Sequence, residues 1–135
     1  MTTTPRLWNS LTQVNTTDGD KNQFESQITP LQDGGYVVVW TDLSHTYNPL
    51  GEAVVGQRYD AAGNKVGGEV KLSQFTSGDQ LSPAITTLAN GDVAVAFVDL
   101  FNGNNNIYVR VFDPSLNFVR EDDIDLGPTR RFTPR

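Results

Sequence analysis

The sequence contains an internal repeat, and that repeat restricts the fold more than any other feature. Residues 27–42 align with residues 84–99, with Ile28 matching Ile85 at an offset of 85 − 28 = 57. Repeats of this length are supersecondary units that stack on one another to bury a shared core. The chain is therefore interpreted as two copies of one β-rich unit.

A second block extends the repeat towards the C-terminus. Residues 55–60 align with residues 108–113 at an offset of 113 − 60 = 53, so copy two is four residues shorter (57 − 53 = 4), with the loss opposite the loop at residues 44–52. Residues 11–15 resemble residues 69–73, so the chain opens on a last-type strand that exchange between chains could pair. We predict a single β-repeat domain over residues 1–135, with repeat one at about 12–69, repeat two at about 70–126 and a tail at 127–135.

Each copy offers four strand signals, rich in β-branched and aromatic residues and separated by turns. The turns at residues 33–35 and 90–92 contain Asp-Gly or Asn-Gly, which tolerates the positive φ of tight hairpins. The predicted strands are residues 27–31, 36–41, 53–59 and 65–72 in copy one, and 84–88, 93–98, 106–112 and 118–126 in copy two.

The second strand of each copy is apolar on both faces. In copy one, Val38 and Trp40 point to one side of the strand, and Val37 and Val39 point to the other. Such a strand must be covered on both sides, and because the sequence shows no helix pattern, the cover has to be another sheet. Stacked propeller blades meet that demand, and they place Trp40 in the core.

We therefore predict an all-β fold with two four-stranded β-propeller-like blades per chain. Propellers have about 4–8 blades, so two blades cannot close a ring. We expect homo-oligomerisation to close it, with three chains as the first choice and four as the second. The alternative is a single β-sandwich, in which two sheets pack face to face.

Composition excludes several classes of partner. The net charge of −6 argues against nucleic acid, because phosphate binding needs clustered Lys and Arg. The chain has no cysteine, which excludes disulfides and thiolate chemistry. No apolar window is long enough to predict membrane insertion, and the N-terminus lacks a Sec signal pattern. We expect a secreted or cell-surface protein without a Sec signal peptide, with a cytoplasmic location left open.

An acidic loop is the candidate metal site. Asp18, Asp20 and Asn22 offer the oxygen ligands that calcium prefers. An EF-hand frame that starts at Asp18 has Thr29 at its twelfth position instead of glutamate, so the motif is incomplete. A turn between blades explains the same residues and is the favoured interpretation, and calcium is the cofactor that the loop would otherwise hold.

Seven side chains are candidate ligand-binding residues. Asp42 and Asp99 recur at the ends of the second strands, where they could bind a cation or sugar hydroxyls, or protect a sheet edge. Arg58 and Arg110 lie in the third strands and could bind a carboxylate or pair with an acidic neighbour. The remaining candidates are Trp8 and Tyr47, which could stack on a sugar, and Asn104, which lies in a polar hairpin tip.

Three blocks of the sequence resemble a known family. Residues 33–40 (DGGYVVVW), residues 56–63 (GQRYDAAG) and residues 78–91 are similar to the tandem repeats of very large secreted bacterial proteins of the RTX and haemolysin-type calcium-binding group. The resemblance covers roughly residues 12–126 and implies a propeller-forming architecture in a secreted or surface setting. It supplies no catalytic motif, and the glycine-rich calcium-binding nonapeptide of that group is absent from this sequence.

These observations predict a non-enzymatic binding module with carbohydrate as its ligand class. His45 is the sole histidine and has no second histidine or cysteine beside it, so neither a metal site nor a catalytic triad is indicated. The alternatives are a structural or assembly repeat without a small ligand and, in third place, a glycan hydrolase. The expected partners are further copies of the chain and a glycan.

Overall fold

The computed structural model describes residues 12–16, 22–101 and 104–122, and these residues form eight β-strands and no helix. The strands are β1 (Gln23–Pro30), β2 (Tyr36–Asp42), β3 (Ala53–Tyr59), β4 (Lys65–Lys71), β5 (Asp79–Thr87), β6 (Val93–Phe101), β7 (Asn104–Phe112) and β8 (Phe118–Asp122). They form two antiparallel sheets, sheet one in the order β1-β2-β3-β4 and sheet two in the order β5-β6-β7-β8. The predicted all-β fold with four strands in each copy is confirmed.

Three strands, β1, β5 and β7, begin earlier than the sequence predicts, and the largest differences are in β1 and β5. The register of β1 shifts within residues 24–27, and that of β5 shifts within residues 81–84, so both strands contain a bulge. Glu25 and Ser82 lie in these bulges with φ angles of 57° and 56°. A bulge of this kind lets strand pairing continue past an irregular residue. The local sequence pattern did not predict either bulge. Residues 123–126 of the last predicted strand lie outside the described residues.

The turns within sheet one match the turns at the corresponding positions of sheet two. The hairpins after β1 and β5 turn at Gly34 and Gly91, whose φ angles of +88° and +94° favour glycine. The hairpins after β3 and β7 begin at Asp60 and Asp113, and each carboxylate accepts the backbone N–H of an asparagine four residues later. The same local rules therefore fold both copies.

The sheets pack face to face, and they do so through different faces. The shared core includes Val37, Val39 and Val54 from sheet one, and Val93, Val95, Phe97 and Tyr108 from sheet two. We call residues at matched positions of the two repeats counterparts, and the counterpart of Val39 is Ala96 (39 + 57 = 96) and not Val95. Neighbouring residues on a strand point to opposite faces, so Val95 and Ala96 lie on different faces of sheet two. Sheet one therefore packs through its Val39 face, and sheet two packs through the face that does not bear the counterpart of Val39.

Along β1 and β5, residues contact their own counterparts. Hydrogen bonds join Glu25 to Ser82, Pro30 to Thr87 and Gln32 to Ala89. Each pair is separated by the repeat offset, as in 82 − 25 = 57. The two first strands therefore lie side by side in the same direction, and β5 also approaches β2 and β3.

The second faces of the central strands are less well covered. Val39 and Val95 have 0% of their surface exposed, whereas Val38, Ala96 and Val98 are half-buried. Trp40 is buried as predicted. Within the described residues of one chain, the predicted cover on both faces is complete on one face and partial on the other.

Candidate functional site

Asp42 and Asp99 lie close to the ends of β2 and β6, and both are buried. Their exposed fractions are 1% and 0%. Asp42 accepts the backbone N–H of Ser44 at 2.9 Å, and Asp99 accepts the side-chain amide of Gln80 at 2.9 Å. Buried carboxylates require such partners. Both side chains therefore take part in internal hydrogen bonds and offer almost no surface to a ligand.

A buried amide network joins residues 44–52, which we call the latch loop, to sheet two. The side-chain amide of Asn48 donates to the Gly78 carbonyl at 2.8 Å and to Oε1 of Gln80 at 3.3 Å. Asn48 and Gln80 have 1% and 0% of their surface exposed. The network satisfies polar groups that water does not reach, and it fastens the two sheets together.

Tyr47 belongs to the latch loop and lies against the last strand of sheet one. Its hydroxyl donates to the Glu69 carboxylate at 2.7 Å, and the Thr16 hydroxyl donates to the same carboxylate at 2.8 Å. Burial, together with the hydrogen bond to Glu69, raises the pKa of Tyr47 well above its ordinary value of 10.0. The hydroxyl that could have met a sugar is thus held inside the chain.

Arg58 bridges the two repeats. Its guanidinium donates to the Asp33 carboxylate at 2.8 Å and to the Ser115 hydroxyl at 3.2 Å. The pKa of Asp33 is lowered below its ordinary value of 3.8, mainly by the hydrogen bond from the backbone N–H of Gly35 and next by the hydrogen bond from Arg58. The predicted alternative for this arginine, an acidic neighbour, matches what the structure shows.

Arg110 connects the segment that follows β4 to sheet two. It donates to the Leu72 carbonyl, lies 3.8 Å from the Glu121 carboxylate and sits over the ring of Phe118 at 4.2 Å from its centroid. Burial lowers the pKa of Arg110, and the charge of Glu121 opposes that effect. A carbonyl, a carboxylate and an aromatic ring of the same chain thus surround the guanidinium, whose buried Nε has no hydrogen-bond partner.

The other predicted candidates contribute no described side-chain geometry to a site. Outside the described residues lie Trp8, Asp18 and Asp20. Asn104 begins β7, where its backbone pairs with Phe101. Asn22 is exposed, and its carbonyl accepts the N–H of Leu43 at 3.0 Å. In the part of the chain that the structure describes, no group of three His, Asp or Glu side chains is placed to hold a metal ion.

A groove with a volume of about 300 Å³ lies between residues 12–16 and sheet one. Val38 and Trp40 line its apolar part, and Val14 packs against the same cluster. Its polar lining consists of Gln13, Asn15, Gln23 and Ser26. The Asn15 amide donates to Gln23 at 2.9 Å. The groove thus combines an apolar floor with amide and hydroxyl groups.

The sequence-based prediction did not include this groove, although the sequence contained its signal. Residues 12–16 lie on sheet one in the way that the segment after β4 lies on sheet two. Val14 corresponds to Leu72 (72 − 14 = 58), which is fully buried in the core between the sheets. The similarity of residues 11–15 to residues 69–73 is the sequence signal for this packing, and strand exchange between chains stays a prediction.

Within the described residues there is no helix with the length and apolar character that crossing a membrane requires. No protein-family model, no curated protein and no solved structure matches this chain.

Proposed function

We propose that this chain is a non-enzymatic assembly repeat, whose sheets continue head to tail into the sheets of further copies. The observation that carries the proposal is the contact between non-equivalent faces. Sheet one uses the face that bears Val39, and sheet two uses the face that bears Val95. Two faces remain unpaired: the face of sheet one that bears Val38 and the face of sheet two that bears Ala96. A contact of this heterologous type repeats until a ring closes or a filament grows.

A propeller is the ring that agrees with the arrangement of the strands. The strand order is sequential in both sheets, and the sheets meet along their first strands, β1 and β5. Three chains would give a six-bladed ring and four an eight-bladed one, both within the range of about 4–8 blades that propellers show. A sandwich built by two-fold symmetry would instead pack the Val39 face against the face that bears its counterpart, Ala96.

We further propose that the assembly is secreted or lies at the cell surface. The resemblance to repeats of RTX-type proteins supports a secreted or cell-surface location, where the same faces would stack repeats in a longer array. Calcium bound by Asp18, Asp20 and Asn22 would act in the segment that precedes β1 in the sequence, as a stabiliser of the repeat and not as a catalyst.

The groove supports a second candidate function, the binding of a carbohydrate. Amide and hydroxyl groups beside a tryptophan-bearing apolar floor can bond sugar hydroxyls and contact a sugar face. A glycan array followed by calorimetry, with and without calcium, tests this function, and no binding under either condition contradicts it. Glycan hydrolysis ranks third, because the described groove lining carries amides and a hydroxyl in place of the carboxyl pair that hydrolysis needs.

The assembly proposal is tested by the mass of the particle in solution. Sedimentation equilibrium is expected to give three times the chain mass of 14.8 kDa, about 44 kDa, or four times, about 59 kDa. A particle that stays at 14.8 kDa up to the highest concentration that remains soluble contradicts the proposal.

A further inference from the structure

We propose that the groove on sheet one receives Ile107 and its neighbours from sheet two of a second copy of the chain. The inference rests on the proposed assembly and names the surfaces that would carry it. The outer face of sheet two is the side of β6 and β7 that bears Ala96, Val98, Ile107 and Val109. The groove face of sheet one is the side of β1 and β2 that bears Ile28, Val38 and Trp40.

Ile107 shows what the outer face of sheet two lacks in an isolated chain. Its side chain is 51% exposed, and it lies opposite Val98 of β6 on the outer face. Its counterpart Val54 (107 − 54 = 53) is 0% exposed, because it packs in the core between the sheets. The same position of the repeat is thus buried where a following sheet is present and exposed where none is.

Ile28 shows the same contrast on the groove face. It pairs with Val38 across β1 and β2, and it is 61% exposed. Its counterpart Ile85 (85 − 28 = 57) packs against the core between the sheets. Exposed apolar side chains that lie together commonly mark interaction sites. Both unpaired faces therefore expose residues that the internal interface buries.

The shapes of the two outer surfaces also agree with the internal interface. A Cβ added at Gly56 would lie 2.8 Å from Cδ1 of Leu72, so the leucine fits because a glycine opposes it. The counterparts on the outer surfaces are Val109 (109 − 56 = 53) and Val14 (72 − 14 = 58). The internal interface pairs a glycine with a leucine, and the contact between copies would pair a valine with a valine. The increase in volume from glycine to valine is thus accompanied by a decrease from leucine to valine. Close packing can be kept in this way.

The contact between copies would lack one element of the internal interface. The latch loop reaches sheet two through Asn48, and the matching segment of copy two is four residues shorter (57 − 53 = 4). We therefore expect the contact between copies to be weaker than the internal one and to depend on protein concentration.

The first experiment compares Ile107→Asp with Leu50→Asp in the full chain, using sedimentation equilibrium for association and urea unfolding for stability. Leu50 is 75% exposed and lies in the latch loop, outside the residues that define the two surfaces, so its variant adds the same charge elsewhere. Ile107→Asp should weaken association at least tenfold, while Leu50→Asp and the conservative Ile107→Val should associate like the wild type. If Ile107→Asp still assembles like the wild type, the docking surface is wrong and the assembly proposal stands. A monomeric wild type overturns both.

The second experiment uses cysteine cross-linking, which is clean because the chain has no cysteine. The double variant Val14→Cys, Val109→Cys should form disulfides between chains under mild oxidation, giving covalent dimers and larger species on a non-reducing gel. The control pair Leu50→Cys, Val109→Cys should give no more than the single variants. Equal cross-linking in the two pairs, or none in the first while the wild type assembles, contradicts the proposed register.

Discussion

At the residue scale, the recurrent aspartates are explained by the needs of a buried strand end. Asp42 lies opposite Gln23 on the neighbouring strand, and Asp99 lies opposite Gln80 in the same register. A carboxylate and an amide can satisfy one another where water does not reach. Recurrence in the sequence indicated that the position matters, but it could not separate a ligand site from an internal hydrogen bond.

Replacing Asp99 with alanine should therefore lower stability. The change removes the acceptor that one N–H of the buried Gln80 amide has at 2.9 Å, while the other N–H keeps the Ser77 carbonyl at 3.1 Å, and an unsatisfied buried polar group costs about 1–3 kcal/mol. Urea unfolding measures the loss. Asp92→Ala is the control, because this half-buried hairpin-turn carboxylate bonds only the exposed Asn90 side chain, and it should stay within about 0.5 kcal/mol of the wild type. Equal midpoints for the two variants would contradict the structural role of Asp99.

Two turn aspartates predict a fall in stability in acid. Backbone hydrogen bonds, from Asn64 to Asp60 and from Asn117 to Asp113, lower the pKa of each carboxyl below its ordinary value of 3.8. A group with a lowered folded-state pKa stabilises the fold above its unfolded pKa, and this stabilisation is lost as pH falls through the folded value.

The urea midpoint should accordingly drop as the pH is lowered from 5 to about 2, the range in which these carboxyls take up protons. The double variant Asp60→Asn, Asp113→Asn should show a flatter profile, because neither side chain can then be protonated in this range. A wild type and a double variant with parallel profiles would exclude these two turns as the source of the pH dependence.

At the element scale, the sequence predicts the strands more completely than the ways in which they join. Period-two patterns and Asp-Gly or Asn-Gly turns are local, so all eight strands could be placed. The bulges at Glu25 and Ser82 depend on contact between the sheets, since the Ser82 N–H donates to the Glu25 carboxylate at 3.0 Å. The latch loop likewise takes its shape from Gly78 and Gln80 of the other repeat.

The latch loop provides a prediction at this scale. A Cβ at Gly51 would lie 2.4 Å from the Gly78 carbonyl oxygen, and this contact is with backbone that cannot easily move. Gly51→Ala should destabilise the chain by about 1–3 kcal/mol, as overpacked substitutions do. Gly68→Ala is the matched control, because its Cβ would have no neighbour within 4 Å. Thermal unfolding compares the two, and a Gly51 variant as stable as the Gly68 variant would show that the loop does not fasten the sheets.

At the scale of the whole molecule, apolar residues on both faces of the central strands predicted an object that needs further sheets. That prediction could not say which face meets which, because a one-dimensional pattern contains no packing direction. The contact of Val39 with the face that bears Val95 supplies the direction. Three of the predicted site residues form hydrogen bonds within the chain, namely Tyr47, Arg58 and Arg110. Sequence alone could not predict this, because it does not show which polar groups already have partners.

The most direct test of head-to-tail assembly is the mass of a mixture of two variants, each with one surface blocked. Ile28→Asp blocks the groove face, and Ile107→Asp blocks the outer face of sheet two. Each variant alone should stay near 14.8 kDa by sedimentation equilibrium. An equal mixture should rise towards two chains, about 30 kDa, because each variant retains the surface that the other has lost. A mixture that remains at the mass of the separate variants, while the wild type assembles, would contradict contact between non-equivalent faces.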